Sequence, residues 1–105
     1  MLEQTARLNQ LFHALSDATR RELIERLGRG PASVSALAEP LDMTLAAVLQ
    51  HLAVLEASGI VRSEKAGRVR TCTLQPERLA VAEGWIAKRR ARGERRASTR
   101  RGRRG

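Results

Sequence analysis

Aromatic side chains are almost absent from this 105-residue chain, which has one phenylalanine, one tryptophan and no tyrosine. The ring platforms on which single-stranded nucleic acids stack are therefore missing, and among nucleic acids duplex DNA is the better-matched partner. Cysteine is reduced to Cys72, which excludes an intramolecular disulfide, gives no thiolate pair for a metal and agrees with a reducing compartment. No apolar run is long enough to span a bilayer, and the first residues lack the charged, apolar and small-residue regions of a secretory signal, so a cytoplasmic location is expected. The groupings that catalysis needs are missing too: no nucleophile with a base and orienter, no phosphate-cradling glycine loop and no metal triad. The chain reads as a non-enzyme without a cofactor.

Acid is scarce in one place only. Residues 88–105 hold ten lysines and arginines against Glu94 alone, and so account for the entire formal net charge of +9. Residues 1–87 are neutral overall, so any affinity of that part for DNA must come from where its charges are placed. The last stretch is rich in glycine and arginine and has no apolar residue larger than alanine. It is expected to be disordered, because it cannot bury enough surface to offset its ordering entropy. Positions 1–87 then form the single domain that this length allows. The basic tail reads either as a solubilising extension or as a clamp adding sequence-independent phosphate contacts.

Helical spacing of Leu8, Leu11, Phe12 and Leu15 marks a first helix that ends at Ser16-Asp17, which also offers a new cap. A second helix runs from Ala18 to Leu27 and closes at Gly28. Ser33 caps a short third helix, Val34–Ala38, which Pro40 stops. Pro76 opens a last helix on which Leu79, Ala82, Trp85 and Ile86 recur. Leu23, Leu27, Leu37, Leu52 and Leu55 read as core.

The segment from Met43 to Leu74 carries the functional signal. Thr44 caps a helix to about Ala57, with Ser58-Gly59 ending it. Leu45, Val48, Leu49, Leu52 and Leu55 share one face and are expected to point inward. The opposite face presents Ala46, Ala47, Gln50 and Val54, with His51 on the flank, and is small and polar enough to enter a major groove. Gln50 at mid-helix can contact adenine in bidentate fashion, or be a solvated polar position, as can Thr44. His51 reads equally as a DNA contact and as a surface residue that buttresses the turn. Beyond Gly59, Ile60–Ser63 and Arg68–Leu74 form a two-stranded wing around a turn at 64–67. Arg62, Lys65, Arg68 and Arg70 on it are placed for phosphate or minor-groove contact, the alternative being a solvated edge that blocks strand pairing. Cys72 is either a buried inert thiol or an oxidant-sensitive one.

These segments together resemble the ArsR/SmtB-type bacterial winged-helix repressors over roughly Leu8 to Ile86. Leu15-Ser16-Asp17-Ala18-Thr19-Arg20 is similar to that family's signature at the start of helix 2. Val48-Leu49-Gln50-His51-Leu52-Ala53-Val54-Leu55 is similar to its recognition-helix motif, and Ala57-Ser58-Gly59-Ile60-Val61 followed by Arg68-Val69-Arg70 to its helix-to-wing segment. The resemblance implies a mainly α winged helix-turn-helix fold with one small β-hairpin, in the order helix, helix, helix, helix, hairpin, helix. It also implies a homodimer joined by the first and last helices, bound to an imperfect palindrome in duplex DNA and repressing transcription. Leu8, Leu11, Leu79, Trp85 and Ile86 are the expected interface residues. The metal-sensing members carry paired cysteines or His and carboxylate clusters, which this chain lacks, so it looks closer to the branch without metal ligands. A second class stays open, a winged-helix protein-interaction module whose DNA binding is tail-driven and non-specific.

Overall fold

The computed structural model describes residues 2–104. Its helices are α1 (Leu2–Leu15), α2 (Ala18–Leu27), α3 (Val34–Ala38), α4 (Leu45–Ala57) and α5 (Pro76–Arg104); its strands are β1 (Ala32–Ser33), β2 (Val61–Ala66) and β3 (Val69–Leu74). The chain therefore has the expected helix order and hairpin, and one strand more. β1 pairs with β3 through Ala32↔Cys72 and Ser33↔Thr71, which gives an antiparallel sheet in the order β1-β3-β2. A two-residue strand is too short to show the alternation by which strands are recognised.

The helix starts follow from side-chain caps. Asp17 accepts from the Arg20 amide at 3.0 Å, Ser33 from the Ala36 amide at 3.1 Å and Thr44 from the Ala47 amide at 3.1 Å, each satisfying one of the amides that a first turn leaves without a partner. α4 ends where Gly59 takes φ +80°. A β-carbon there would come within 2.8 Å of Arg78 Nε, a side-chain atom that can move aside, so it is the positive φ that favours glycine.

Leu11, Leu23, Leu37, Val48, Leu52, Leu55, Ile60 and Cys72 are the largest fully enclosed side chains and make one core under α1–α4 and the sheet. Burying each leucine stabilises the fold by about 1.5–3 kcal/mol. Three expectations are corrected by this packing. Leu45 and Leu49 are not core: they are 55% and 37% exposed, because the apolar stripe of α4 extends past the elements that cover it. The turn of the wing is shorter than expected, since β2 reaches Ala66, pairing it with Val69, and Gly67 turns at φ +63°.

The third correction concerns residues 88–105. The expected disordered tail is instead drawn as a continuation of α5 as far as Arg104, Gly105 lying outside the described residues. Its lack of large apolar residues bears on tertiary burial, whereas alanine, arginine, lysine and glutamate are strong helix formers. Local pairs support the extension: Arg90 donates to Glu94 at 2.9 Å one turn on, and the Arg89 guanidinium lies 4.3 Å from the Trp85 ring centroid.

Candidate nucleic-acid interface

α4 and the wing form the two walls of one cleft. Leu45 and Leu49 line it from α4, Ser33, Val34 and Ser35 from the β1–α3 junction, and Ser63, Lys65, Arg68, Val69 and Arg70 from the hairpin; its volume is about 710 Å³. Strand register explains which wing cations enter. Val61↔Leu74, Ser63↔Cys72 and Lys65↔Arg70 are cross-strand partners, and paired residues share a sheet face. Cys72 and Val61 are buried, so this is the face turned toward the helices, and near the tip it presents Lys65 and Arg70.

Arg62 alternates to the other face and lies 3.6 Å from Glu64. The structure thus brings three of the four expected wing cations together and separates the fourth. Arg70 is positioned by its neighbours, donating from Nε to Ser63 Oγ at 3.1 Å, while Ser63 Oγ donates to Glu56 Oε1. Lys65 and Arg68 are exposed. The outward face of α4 carries Leu45, Ala46, Leu49, Gln50 and Ala53, all exposed, with Ala47 half-buried.

His51 occupies a different environment from Gln50. Arg20 Nη1 lies 3.3 Å from its Nδ1, and because arginine has no acceptor, Arg20 is the donor in any bond between them. Asp17 Oδ2 is 3.7 Å from the same nitrogen. The backbone hydrogen bond from Arg20 holds the Asp17 carboxyl below the usual carboxylate range, with the nearby His51 and Arg20 charges acting the same way.

Arg20 is the residue whose role the sequence did not disclose. It is 8% exposed, and besides His51 it donates to the carbonyls of Ala14 at 2.9 Å and His13 at 2.8 Å. One buried cation therefore closes the last turn of α1 and braces α4, and the helix C-terminus supplies the negative potential that stabilises it. Its only sequence signal is the Asp17-to-Arg20 spacing at the start of α2. Arg26 acts similarly on α3, donating to Leu37 O at 2.7 Å and Ala36 O at 2.8 Å. Cys72 is 1% exposed; burial pushes its thiol up, Glu56 adds to this and Arg70 opposes it.

The five expected interface residues separate in the same manner. Leu11 is 2% exposed and belongs to the core of the single chain, which removes it from any interface. Leu8 and Leu79 are half-buried against that core. Trp85 and Ile86 are 40% and 50% exposed, with the Trp85 ring edge-on to Phe12 at 5.7 Å. Val81 is exposed beside them and lines a groove between α1 and α5.

Residues 15–64 match the model of a helix-turn-helix domain, the span that runs from the end of α1 into the wing's first strand. The chain is 42% identical over 73 residues to the HTH-type transcriptional regulator Rv2034 of Mycobacterium tuberculosis, covering 70% of this chain and 68% of that relative. It superposes on the crystal structure of an ArsR family transcriptional regulator with a TM-score of 0.83 at 46% identity, over 86% of this chain and 93% of the other. A homodimeric winged helix-turn-helix DNA-binding domain from Mycobacterium bovis shares the fold at 24% identity and a TM-score of 0.62, over 90% of this chain and 82% of that one. With α4 and the wing placed as two walls of one basic cleft on this fold, the chain belongs to the ArsR family of winged helix-turn-helix transcriptional regulators, which are DNA-binding proteins and not enzymes.

Proposed function

We propose that the protein is a homodimeric repressor that works in the cytoplasm by occupying an imperfect palindrome in duplex DNA. The observation that carries this reading is the shared cleft, in which the outward face of α4 stands opposite Lys65, Arg68 and Arg70. A helix fits the major groove, and basic side chains beside it meet the phosphates that flank the groove. Gln50 reads a base, Ala46 and Ala47 let the helix approach closely, Thr44 fixes the helix start and His51 braces it through Arg20. Two copies set their α4 helices about one helical turn apart, roughly 34 Å.

Pairing is supported by Val81, Trp85 and Ile86, large apolar side chains left exposed on α5. A second copy would cover them. Residues 88–98, exposed along most of α5, act as the sequence-independent clamp, and residues 1–87 as the reader. One observation favours the protein-docking alternative: Leu45 and Leu49 make the outward face of α4 unusually apolar.

Selection of duplexes from a random-sequence library by the full chain tests the proposal. Enrichment of a palindrome, with selective loss of affinity for it in Gln50→Ala, is the expected result. Absence of enrichment, or equal loss on selected and scrambled duplexes, rejects the reading and leaves the docking alternative.

A further inference from the structure

Leu45 and Leu49 lie one turn apart on the outward face of α4, exposed to 55% and 37%, and line the cleft that the wing faces. From Leu45 to Leu55 the helix contains no lysine, arginine, aspartate or glutamate. In the major groove guanine is read mainly by arginine or lysine, cytosine by acids, adenine by asparagine or glutamine, and thymine by apolar contact with its 5-methyl group. The outward face of α4 therefore presents one amide at Gln50 and apolar side chains around it, the groups suited to adenine and thymine.

We infer that Leu45 and Leu49 read thymine 5-methyl groups beside an adenine held by Gln50, so that each half-site is centred on A·T pairs. The inference rests on the proposed function and names the sequence class that its site takes. Charge across the cleft identifies the occupant as DNA: Lys65, Arg68 and Arg70 form the facing wall, and a duplex offers phosphates to those cations and methyl groups to the leucines within one groove. Removing water from one methyl group and the leucine surface that meets it is worth about fourfold in affinity.

The test uses the full chain and the duplex that it selects, prepared with thymine or with deoxyuridine, which pairs identically but lacks the methyl. Affinity is expected to fall about fourfold for each contacted methyl removed. The Leu45→Ala/Leu49→Ala variant, altered only at exposed positions, should bind both duplexes equally while circular dichroism shows its helix content unchanged. A selected duplex that beats scrambled DNA but binds equally well with deoxyuridine overturns this inference alone and assigns the leucines to a small apolar anion or a protein. A deoxyuridine effect that persists undiminished in the variant also overturns it, assigning the effect to duplex shape. A library that yields no enriched duplex removes the proposed function and this inference together.

Discussion

The cleft between α4 and the wing and the distal turns of α5 both present arginine to solvent, yet they are built on opposite principles. Around the cleft, each cation has a position set by the fold: register turns Lys65 and Arg70 toward the helices and Arg62 away from them, and Ser63 aims Arg70. Along α5 beyond Ala87, cations occur at nearly every turn, and this stretch holds the whole net charge. A neutral region can thus be selective because its charge is placed, and a strongly charged one can bind tightly without discriminating. On the proposed function, affinity and specificity fall to separate parts of one short chain.

The largest effect that would sharpen this contrast lies in stability. Leu52 is 2% exposed in the core, so Leu52→Ala should lower the unfolding free energy by about 2–5 kcal/mol. Deletion of residues 88–105, whose described side chains at 88–98 lie outside the core, should leave the urea midpoint close to that of the full chain. Next comes recognition: Gln50→Ala should cost about 1–3 kcal/mol on the selected duplex and nothing measurable on scrambled DNA by fluorescence anisotropy.

The wing supplies a finer division. Arg68→Ala should weaken binding to all duplexes alike and reduce the slope of log affinity against log salt by about 0.9. Arg62→Ala, on the outer face with Glu64, should leave that slope unchanged; an equal drop for both would dissolve the distinction between the two faces.

The smallest effect is on pH dependence. Asp17 is held below its ordinary value, so the folded state keeps this carboxylate ionised at a pH where the unfolded chain has begun to protonate it. Its contribution is complete above the unfolded value of about 3.9 and is lost as pH falls through the folded value. The stability gap between wild type and Asp17→Asn should therefore close on acidification below about pH 4, read from urea midpoints across pH. A gap that stays constant into acid would show that the cap does not depend on charge.

Much of this organisation was legible in the sequence because its determinants are local. Thr44 and Gly59 fix both ends of α4, and Asp17 and Ser33 fix the starts of α2 and α3. The failures come where a neighbour decides. A helical wheel places Leu45 and Leu49 on the apolar face but says nothing of whether another element reaches that far along it. Arg20 reads as a surface cation until the carbonyls of α1 are folded over it. The two residues of β1 have strand character only through their pairing with β3. The helix over residues 88–104 differs in kind, since composition bears on tertiary burial whereas helix propensity and one-turn pairs are enough to extend α5.

The division between a neutral reader and a charged clamp is tested most directly by fluorescence anisotropy of the full chain and of a chain ending at Ala87, each against the selected and a scrambled duplex at two salt concentrations. The shorter chain should lose most of its affinity for scrambled DNA and much of its salt dependence, yet keep a preference for the selected duplex on the order of a thousandfold. Loss of that preference along with residues 88–105, in a shortened chain that still melts cooperatively, would contradict the assignment of sequence reading to α4 and the wing.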